Sequence, residues 1–316
     1  MALEYRTERA DGALGAAARE AAAELAARVK QYDGVEAISE APLLALAAGD
    51  TAAAHYLVWS GGSLVGYAQR DPGGSAEMAV EPKRRRHGIG RILAQALFHD
   101  APQVRLWAHG DLGPSRAVAR ELGLAAVREL WEMASERSPS PAQPDPAVPG
   151  AATPGAAQHG EVAAQHGEGG EVAFRPFGAK GDREAWVGLN ALAFAGHPEQ
   201  GRLTLEDLDQ RMAQSWFDPA GLIFAHPAPQ AAPLGYVWTK IEGGGGEIYA
   251  IGVHPAAQGK RLGTKLLDLG LRHLEEQGVA EVRLFVEADN APAIASYRRQ
   301  GFALTRRDIQ YARPTG

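Results

Sequence analysis

One short segment occurs twice in this chain. Gln258-Gly259-Lys260-Arg261-Leu262-Gly263 follows the apolar stretch Ile248 to Val253 and opens the helical stretch Thr264 to Gln277. Arg85-Arg86-His87-Gly88-Ile89-Gly90 follows Met78 to Val80 and precedes the helical stretch Arg91 to His99. A proline ends the strand before each, Pro82 and Pro255. A glycine-containing turn between a strand and a helix leaves the first helical N–H groups unpaired and pointing at one spot. With the positive end of the helix dipole, that spot suits a phosphate. Each half must therefore fold as a strand, a phosphate turn and a helix.

The flanking elements repeat as well. In the first half, helical patterns at Leu14–Lys30 and Pro42–Ala48 precede strand-like runs at His55–Trp59, Leu64–Gln69 and Ala76–Val80. A strand at Val104–Ala108, a helix at Ser115–Leu122 and a strand at Val127–Met133 follow the loop. The second half has helices at Arg183–Phe194 and Leu205–Ser215, strands at Leu222–Ala225, Leu234–Ile241 and Glu247–Val253, then Val282–Glu287, Ala291–Gln300 and Phe302–Tyr311. This is an internal duplication at domain scale. With 316 residues each half is large enough for its own core. The boundaries read as an N-terminal domain over 1–137, a Pro/Gly/Ala linker over 138–170 and a C-terminal domain over 171–316. Inside the linker Ala156-Ala-Gln-His-Gly-Glu recurs from Ala163. Its His159 and His166 read as part of a replicated tract rather than as metal ligands.

The formal charge of −6 argues against a nucleic-acid partner, and a bound phosphate accounts for the small basic patch Lys83 to Arg86. No apolar run reaches the ~18 residues of a membrane span, and the charged start Met1-Ala-Leu-Glu-Tyr-Arg does not read as a secretory signal. A cytoplasmic location with no membrane partner is expected. The chain contains no cysteine, which excludes disulfides, thiolate metal sites and a cysteine nucleophile.

A strand, an Arg/Gln-x-x-Gly-x-Gly/Ala loop, a helix, a further strand and a helix ending in Tyr297-Arg-Arg-Gln-Gly301-Phe302 resemble the GNAT superfamily of acetyl-CoA-dependent N-acetyltransferases. A narrower resemblance, to the mycothiol synthases, covers nearly the whole chain. It is carried by Trp107-Ala-His-Gly-Asp, Ala193-Phe-Ala-Gly-His-Pro-Glu-Gln-Gly201, Trp216-Phe-Asp-Pro-Ala-Gly-Leu-Ile223, Trp238-Thr-Lys240, Gly246-Glu-Ile-Tyr-Ala-Ile-Gly-Val253 and Val286-Glu-Ala-Asp-Asn290. The resemblance implies two tandem α/β (α+β) GNAT domains, each a mixed, largely antiparallel sheet flanked by helices. It implies acetyl-CoA as co-substrate and no metal. The acceptor would be the cysteinyl amine of a glucosaminyl-inositol, and a monomer is expected. Acetyl-CoA would lie along Ile251, Gly252 and Val253 and against Gln258, Gly259, Lys260, Arg261, Leu262, Gly263, Thr264 and Asn290. A second, retained cofactor site would comprise Met78, Ala79 and Val80 with Arg85, Arg86, His87, Gly88, Ile89, Gly90 and Arg91. Asn290 reads equally as a helix cap, and Gly252 fits a bulge in a strand bending from its neighbour.

Amine acetylation needs a base for the attacking ammonium and an acid for the departing thiolate. Glu247 lies eight residues before Pro255, and Gly74 holds that place before Pro82. Tyr297, where the family places its phenol, lies four residues before Gly301, and Ala119 holds that place before Gly123. The C-terminal domain is therefore expected to be catalytic, with Glu247 as base and Tyr297 as acid. The bland alternatives are a solvated strand-end carboxylate and a core tyrosine. Glu77 is offset by three residues from the Glu247 position and reads as an exposed edge glutamate. The resemblance points to Glu40, Glu199, Lys240, Glu247 and Phe285 for the acceptor, against plainer roles for Glu40 as a helix start and Lys240 as a solvated residue. If Glu40 reaches the C-terminal site, the two domains pack face to face. His197 reads as a turn histidine. Two departures stand out: Arg261 replaces the loop's first glycine, and Phe285 stands where the family commonly has a tyrosine. Another amine acceptor, such as an aminoglycoside or a protein terminus, and a non-catalytic acyl-CoA-binding regulator are the competing readings.

Overall fold

The computed structural model describes residues 4–49, 52–137, 172–197, 199–228 and 231–314. The linker expected over 138–170, with His159 and His166, lies outside them. The chain divides into two compact units. One comprises Met1–Glu132, Val286–Ala291 and Leu304–Gly316; the other comprises Met133–Phe285 and Pro292–Ala303.

The first unit begins with β1 (Arg6–Asp11), α1 (Ala16–Asp33), α2 (Glu40–Ala48), β2 (Ala54–Ser60), β3 (Ser63–Arg70) and β4 (Ser75–Val80). Then come α3 (Ile89–Asp100), β5 (Arg105–Ala108), α4 (Gly113–Glu121) and β6 (Ala125–Glu136). Strands β1 to β4 pair antiparallel in sequence order, and β4 pairs parallel with β5. Alternation along β2 divides the core. Tyr56 and Val58 pack with Leu93, Leu97 and Phe98 of α3, while Leu57 faces the other way onto Leu25, Ala26 and Val29 of α1. The helices supply these residues at i, i+3, i+4 and i+7 spacings, Ala22-Leu25-Ala26-Val29 in α1. Each fully buried Leu contributes about 1.5–3 kcal/mol.

The second half of the chain contributes β7 (Ala173–Pro176), α5 (Asp182–Ala193), α6 (Leu205–Met212), β8 (Leu222–His226), β9 (Gly235–Glu242) and β10 (Gly245–Val253). α7 (Leu262–Glu276), β11 (Glu281–Glu287), α8 (Ala291–Arg299) and β12 (Ala303–Ala312) follow. β7 to β10 pair antiparallel in order, and β10 pairs parallel with β11. α7 buries Leu266, Leu267 and Leu274. An aromatic cluster of Trp186, Trp216, Phe224, Tyr236 and Trp238 forms a further core. A capping box starts α6, Thr204 accepting from Asp207 N–H and Asp207 accepting in return.

One connection departs from the simple duplication. The last strand reads as the closing strand of the second half, yet β12 pairs antiparallel with β5, Ile309 opposite Ala108 and Tyr311 opposite Leu106. The apolar alternation of a strand says which face is buried but not which neighbour supplies its hydrogen bonds. Polar partners choose here: Gln310 donates to Ser75 at 3.2 Å and Tyr311 to Asp111 at 2.8 Å. Among the described residues no helix is long and apolar enough to cross a membrane.

Candidate active site

The two loops are built alike. A single turn, Pro255–Ala257 or Pro82–Arg84, leads to an extended residue, Gln258 (φ −65°, ψ 154°) or Arg85 (φ −65°, ψ 161°). The side chain of that residue turns back to the last strand: Gln258 Nε2 donates to Val253 O at 3.3 Å, and Arg85 Nε to Val80 O at 3.3 Å. The second and fourth positions are left-handed in both loops, Gly259 (φ 76°) and Arg261 (φ 60°) against Arg86 (φ 65°) and Gly88 (φ 85°). The glycine and the arginine have exchanged places. The helical ladders then begin with Lys265 N–H to Arg261 O and Ile92 N–H to Gly88 O. The amides of Leu262, Gly263 and Thr264, and of Ile89, Gly90 and Arg91, precede these bonds and suit an anion.

The strands beside each loop part just before it. The β10–β11 ladder runs from Gly246 opposite Val282 to Ile248 opposite Leu284, although β10 continues to Val253. The β4–β5 ladder comprises Ser75 opposite Arg105 and Ala76 opposite Leu106. Parted strands leave backbone groups to pair with an extended ligand. In the first unit this opening is a cleft of about 640 Å³, bordered by Met78, Val80, Arg85, Gly88, Trp107 and Tyr311. Loop amides at one end and parted strands along the side suit a ligand that carries a diphosphate and an extended arm. The bulge of β10 lies at Tyr249, between Ile248 and Ala250, rather than at Gly252. Gly252 is needed for another reason: a Cβ there would stand 2.3 Å from Tyr236 Cε1.

In the second unit Lys240, Glu247 and Arg283 form a row across β9, β10 and β11, with Glu247 opposite Lys240 on one side and Arg283 on the other. Directly opposed residues share a face. Glu247 is buried, and Arg283 Nε donates to its Oε2 at 3.0 Å. Lys240 is buried too, its Nζ 3.2 Å from Glu242 Oε2 and 4.8 Å above the centroid of Trp216, so it is not a solvated strand residue. Phe285 follows Arg283 on the same face of β11 and is half-buried. Tyr297 lies on α8 with its ring edge-on to Phe302 at 6.1 Å. Burial pushes its phenol up to about 12.

The remaining predicted residues are dispersed. Glu40 is the first residue of α2 and half-buried. Glu199 sits on a turn where its N–H and that of Gln200 donate to His197 Nδ1. Asn290 is exposed just before α8. Lys260 Nζ bonds Ala256 O, Arg91 pairs with Glu121, and Arg85 forms a two-point pair with Asp33 at 2.8 and 2.6 Å. Ala79 packs under α1, opposite in face to Met78 and Val80, so only its backbone can serve the cleft.

Glu77 is a correction. It is not an exposed edge glutamate but is buried, accepting from Ser39 N–H and Oγ at 2.5 and 2.7 Å, with His109 Nε2 3.2 Å from its Oε1. His109 is held on its other side by Asp308. Burial is the strongest influence on this imidazole and lowers it; the charge of Glu77 and the hydrogen bonds of Asp308 and Glu77 outweigh that and raise it to about 10. Sequence reasoning missed both this cluster and Arg283. The parity of β11, with Val282, Leu284 and Val286 buried, was the available signal for Arg283.

A duplicated strand, phosphate turn and helix beside parted parallel strands defines the acyl-CoA-dependent N-acetyltransferase class. Residues 20–124 and 188–302 match the model of the acetyltransferase (GNAT) family. The chain is 41% identical over 309 residues to the mycothiol acetyltransferase of Cellulomonas flavigena, covering 90% of this chain and 82% of the relative. It is 41% identical over 309 residues to that of Thermobifida fusca, covering 92% of each. The chain belongs to the GNAT family and, within it, to the mycothiol acetyltransferases. The fold recurs in a tandem GNAT protein from the clavulanic acid biosynthesis pathway (TM-score 0.64, 19% identity, 98% of each chain). It recurs too in a GCN5-related N-acetyltransferase from Sphaerobacter thermophilus (TM-score 0.61, 22% identity, 97% of this chain and 94% of that one).

Proposed function

We propose that this chain acetylates the cysteinyl amine of a cysteinyl glucosaminyl-inositol from acetyl-CoA, completing mycothiol in the cytoplasm, with its C-terminal half catalytic. The observation that carries the reading is Glu247, a buried carboxylate in the middle of the three paired steps that precede the parting of β10 and β11. Its kinship with the mycothiol acetyltransferases supports the acceptor.

In this reading the amides of Leu262, Gly263 and Thr264 hold the diphosphate, and the strand edge of Ile251 to Val253 orients the pantetheine arm. Bound acetyl-CoA supplies the thioester to be cleaved. Glu247 takes a proton from the acceptor's ammonium, and the freed nitrogen forms its bond to the acyl carbon as the carbon–sulfur bond breaks. Tyr297 delivers a proton to the departing sulfur; with a phenol held near 12 it is fully protonated at neutral pH. A backbone N–H of the parted strand polarises the acyl oxygen. Lys240 and Phe285 would line the acceptor side, with Glu199 as a further contact.

The first half has Gly74 and Ala119 where the second has Glu247 and Tyr297. Its one buried carboxylate on β4, Glu77, is engaged by Ser39 and His109. We read that half as a structural partner with a cofactor cleft. Free CoA release with the cysteinyl glucosaminyl-inositol and a panel of other amines tests the assignment. Release dependent on the cysteinyl compound supports it, while release with other amines alone, or with none, sinks it.

A further inference from the structure

The row Lys240–Glu247–Arg283 holds a side chain that the acetyl-transfer scheme does not use. Arg283 stands opposite Glu247 in the middle of the three registered β10–β11 pairs. Its Nε donates to Glu247 Oε2 at 3.0 Å, and the carboxylate side chain is 10% exposed while the guanidinium side chain is 39% exposed. A charge-assisted hydrogen bond at this distance fixes carboxylate orientation more firmly than a neutral one. A guanidinium does not lose its proton in the working range, so it cannot itself take part in proton transfer. Position matters because a base must lie within hydrogen-bond reach of the proton it removes, and a misplacement of an ångström is costly.

From this geometry, and resting on the reading of Glu247 as base, we infer that Arg283 is a positioning residue that holds the Glu247 carboxylate aimed at the acceptor amine. Arg283 sits on the strand that moves away from β10 one residue further on, so it fixes the carboxylate at the mouth of the opening. The register supplies this contact: a shift of one residue along β11 would place Val282 or Leu284 opposite Glu247 and turn the guanidinium to the other face.

Arg283→Gln, Arg283→Lys, Glu247→Gln and the double variant are to be compared in full-length enzyme by kcat, KM for acetyl-CoA and the pH dependence of kcat/KM. Arg283→Gln is expected to lower kcat roughly ten-fold, a part of the 10²–10⁴-fold a base contributes. KM for acetyl-CoA should be unchanged. The acid limb of kcat/KM should move to higher pH, because a carboxylate deprived of a neighbouring cation holds its proton more tightly. The acceptor amine titrates alike with every variant, so displacement of that limb reports the enzyme. Arg283→Lys should restore the limb while recovering kcat in part, and the double variant should be no slower than Glu247→Gln. Thermal melts and acetyl-CoA titration of the same preparations separate these effects from misfolding. Wild-type kcat and pH profile in Arg283→Gln overturn the positioning role while leaving Glu247 intact as base. A full additional loss in the double variant also overturns it, since Arg283 would then act independently. Wild-type turnover in Glu247→Gln sinks the base reading itself, an outcome visible without any Arg283 variant.

Discussion

His109 Nδ1 lies 2.9 Å from Asp308 Oδ2, joining β5's end to a strand 199 residues further along the chain. Asp308 Oδ1 also accepts from Gly110 N–H at 2.7 Å. Burial, the strongest influence on Asp308, raises its carboxyl; the His109 hydrogen bond, the charges of His109 and Arg306 and the Gly110 amide outweigh that and hold it below the usual range. The pair therefore fastens β12 beside β5 as an imidazolium and a carboxylate.

This pair gives stability a defined pH dependence. His109 is raised from 6.5 to about 10, so its contribution is complete below about 6.5 and is lost as pH climbs through the folded value. Asp308 is depressed, so its contribution is lost only as pH falls through its lowered folded value. The melting temperature should fall between pH 7 and pH 10, and His109→Gln should flatten that slope. Removing one partner of a buried pair costs about 3–5 kcal/mol, so Asp308→Asn should melt well below wild type at neutral pH. An unaltered slope in His109→Gln would assign the dependence to other groups.

Glu247→Gln keeps the shape and nearly the volume of a side chain that is buried on β10. Turnover should fall by roughly 10²–10⁴-fold. Acetyl-CoA affinity, measured by calorimetric titration, should be retained, because the proposed scheme gives the diphosphate to the loop amides rather than to Glu247. Wild-type turnover with intact binding would remove Glu247 from the mechanism.

Tyr297→Phe tests the other proton transfer of the proposed scheme. The ring contact with Phe302 at 6.1 Å should survive the loss of the hydroxyl, so the melting temperature should change little. Turnover should fall about 10²-fold or more. With the phenol near 12, wild-type kcat should show no alkaline loss from this group up to about pH 11. A bulkier cost in stability than in rate would make Tyr297 a packing residue.

Much of this arrangement was legible in the chain because it is local. Strand, proline, turn and helix lie within a few residues of one another, and Glu247 and Tyr297 are found by counting from Pro255 and Gly301. What was not legible depends on which strands become neighbours. Glu77 was misread because burial of its carboxylate requires His109 and Ser39, and His109 in turn requires Asp308 from the far end of the chain. Gly252 was assigned to a bulge that lies at Tyr249, because no sequence pattern reveals the Tyr236 ring pressed against it. Arg283 acquires its meaning only from the register of β11 against β10.

The exchanged loop residues make a last prediction that uses each half as the other's control. Arg261 and Arg86 adopt φ 60° and 65°, where a side chain costs about 1–2 kcal/mol that glycine avoids. Glycine's greater freedom in the unfolded chain gives back about 0.4–1 kcal/mol of that gain. Arg261→Gly and Arg86→Gly should therefore each stabilise by up to about 1.6 kcal/mol, read as a rise in melting temperature. Gly259→Ala and Gly88→Ala should each destabilise, although a Cβ at either meets nothing within 4 Å, because φ is 76° and 85° there. Function should split from stability at Arg261. Its charge lies at the start of α7, beside the amides assigned to the diphosphate, so Arg261→Gly should weaken acetyl-CoA binding at low salt and reduce its salt dependence. A variant that binds as tightly as wild type with the same salt slope would leave Arg261 with no part in binding and only a strained backbone.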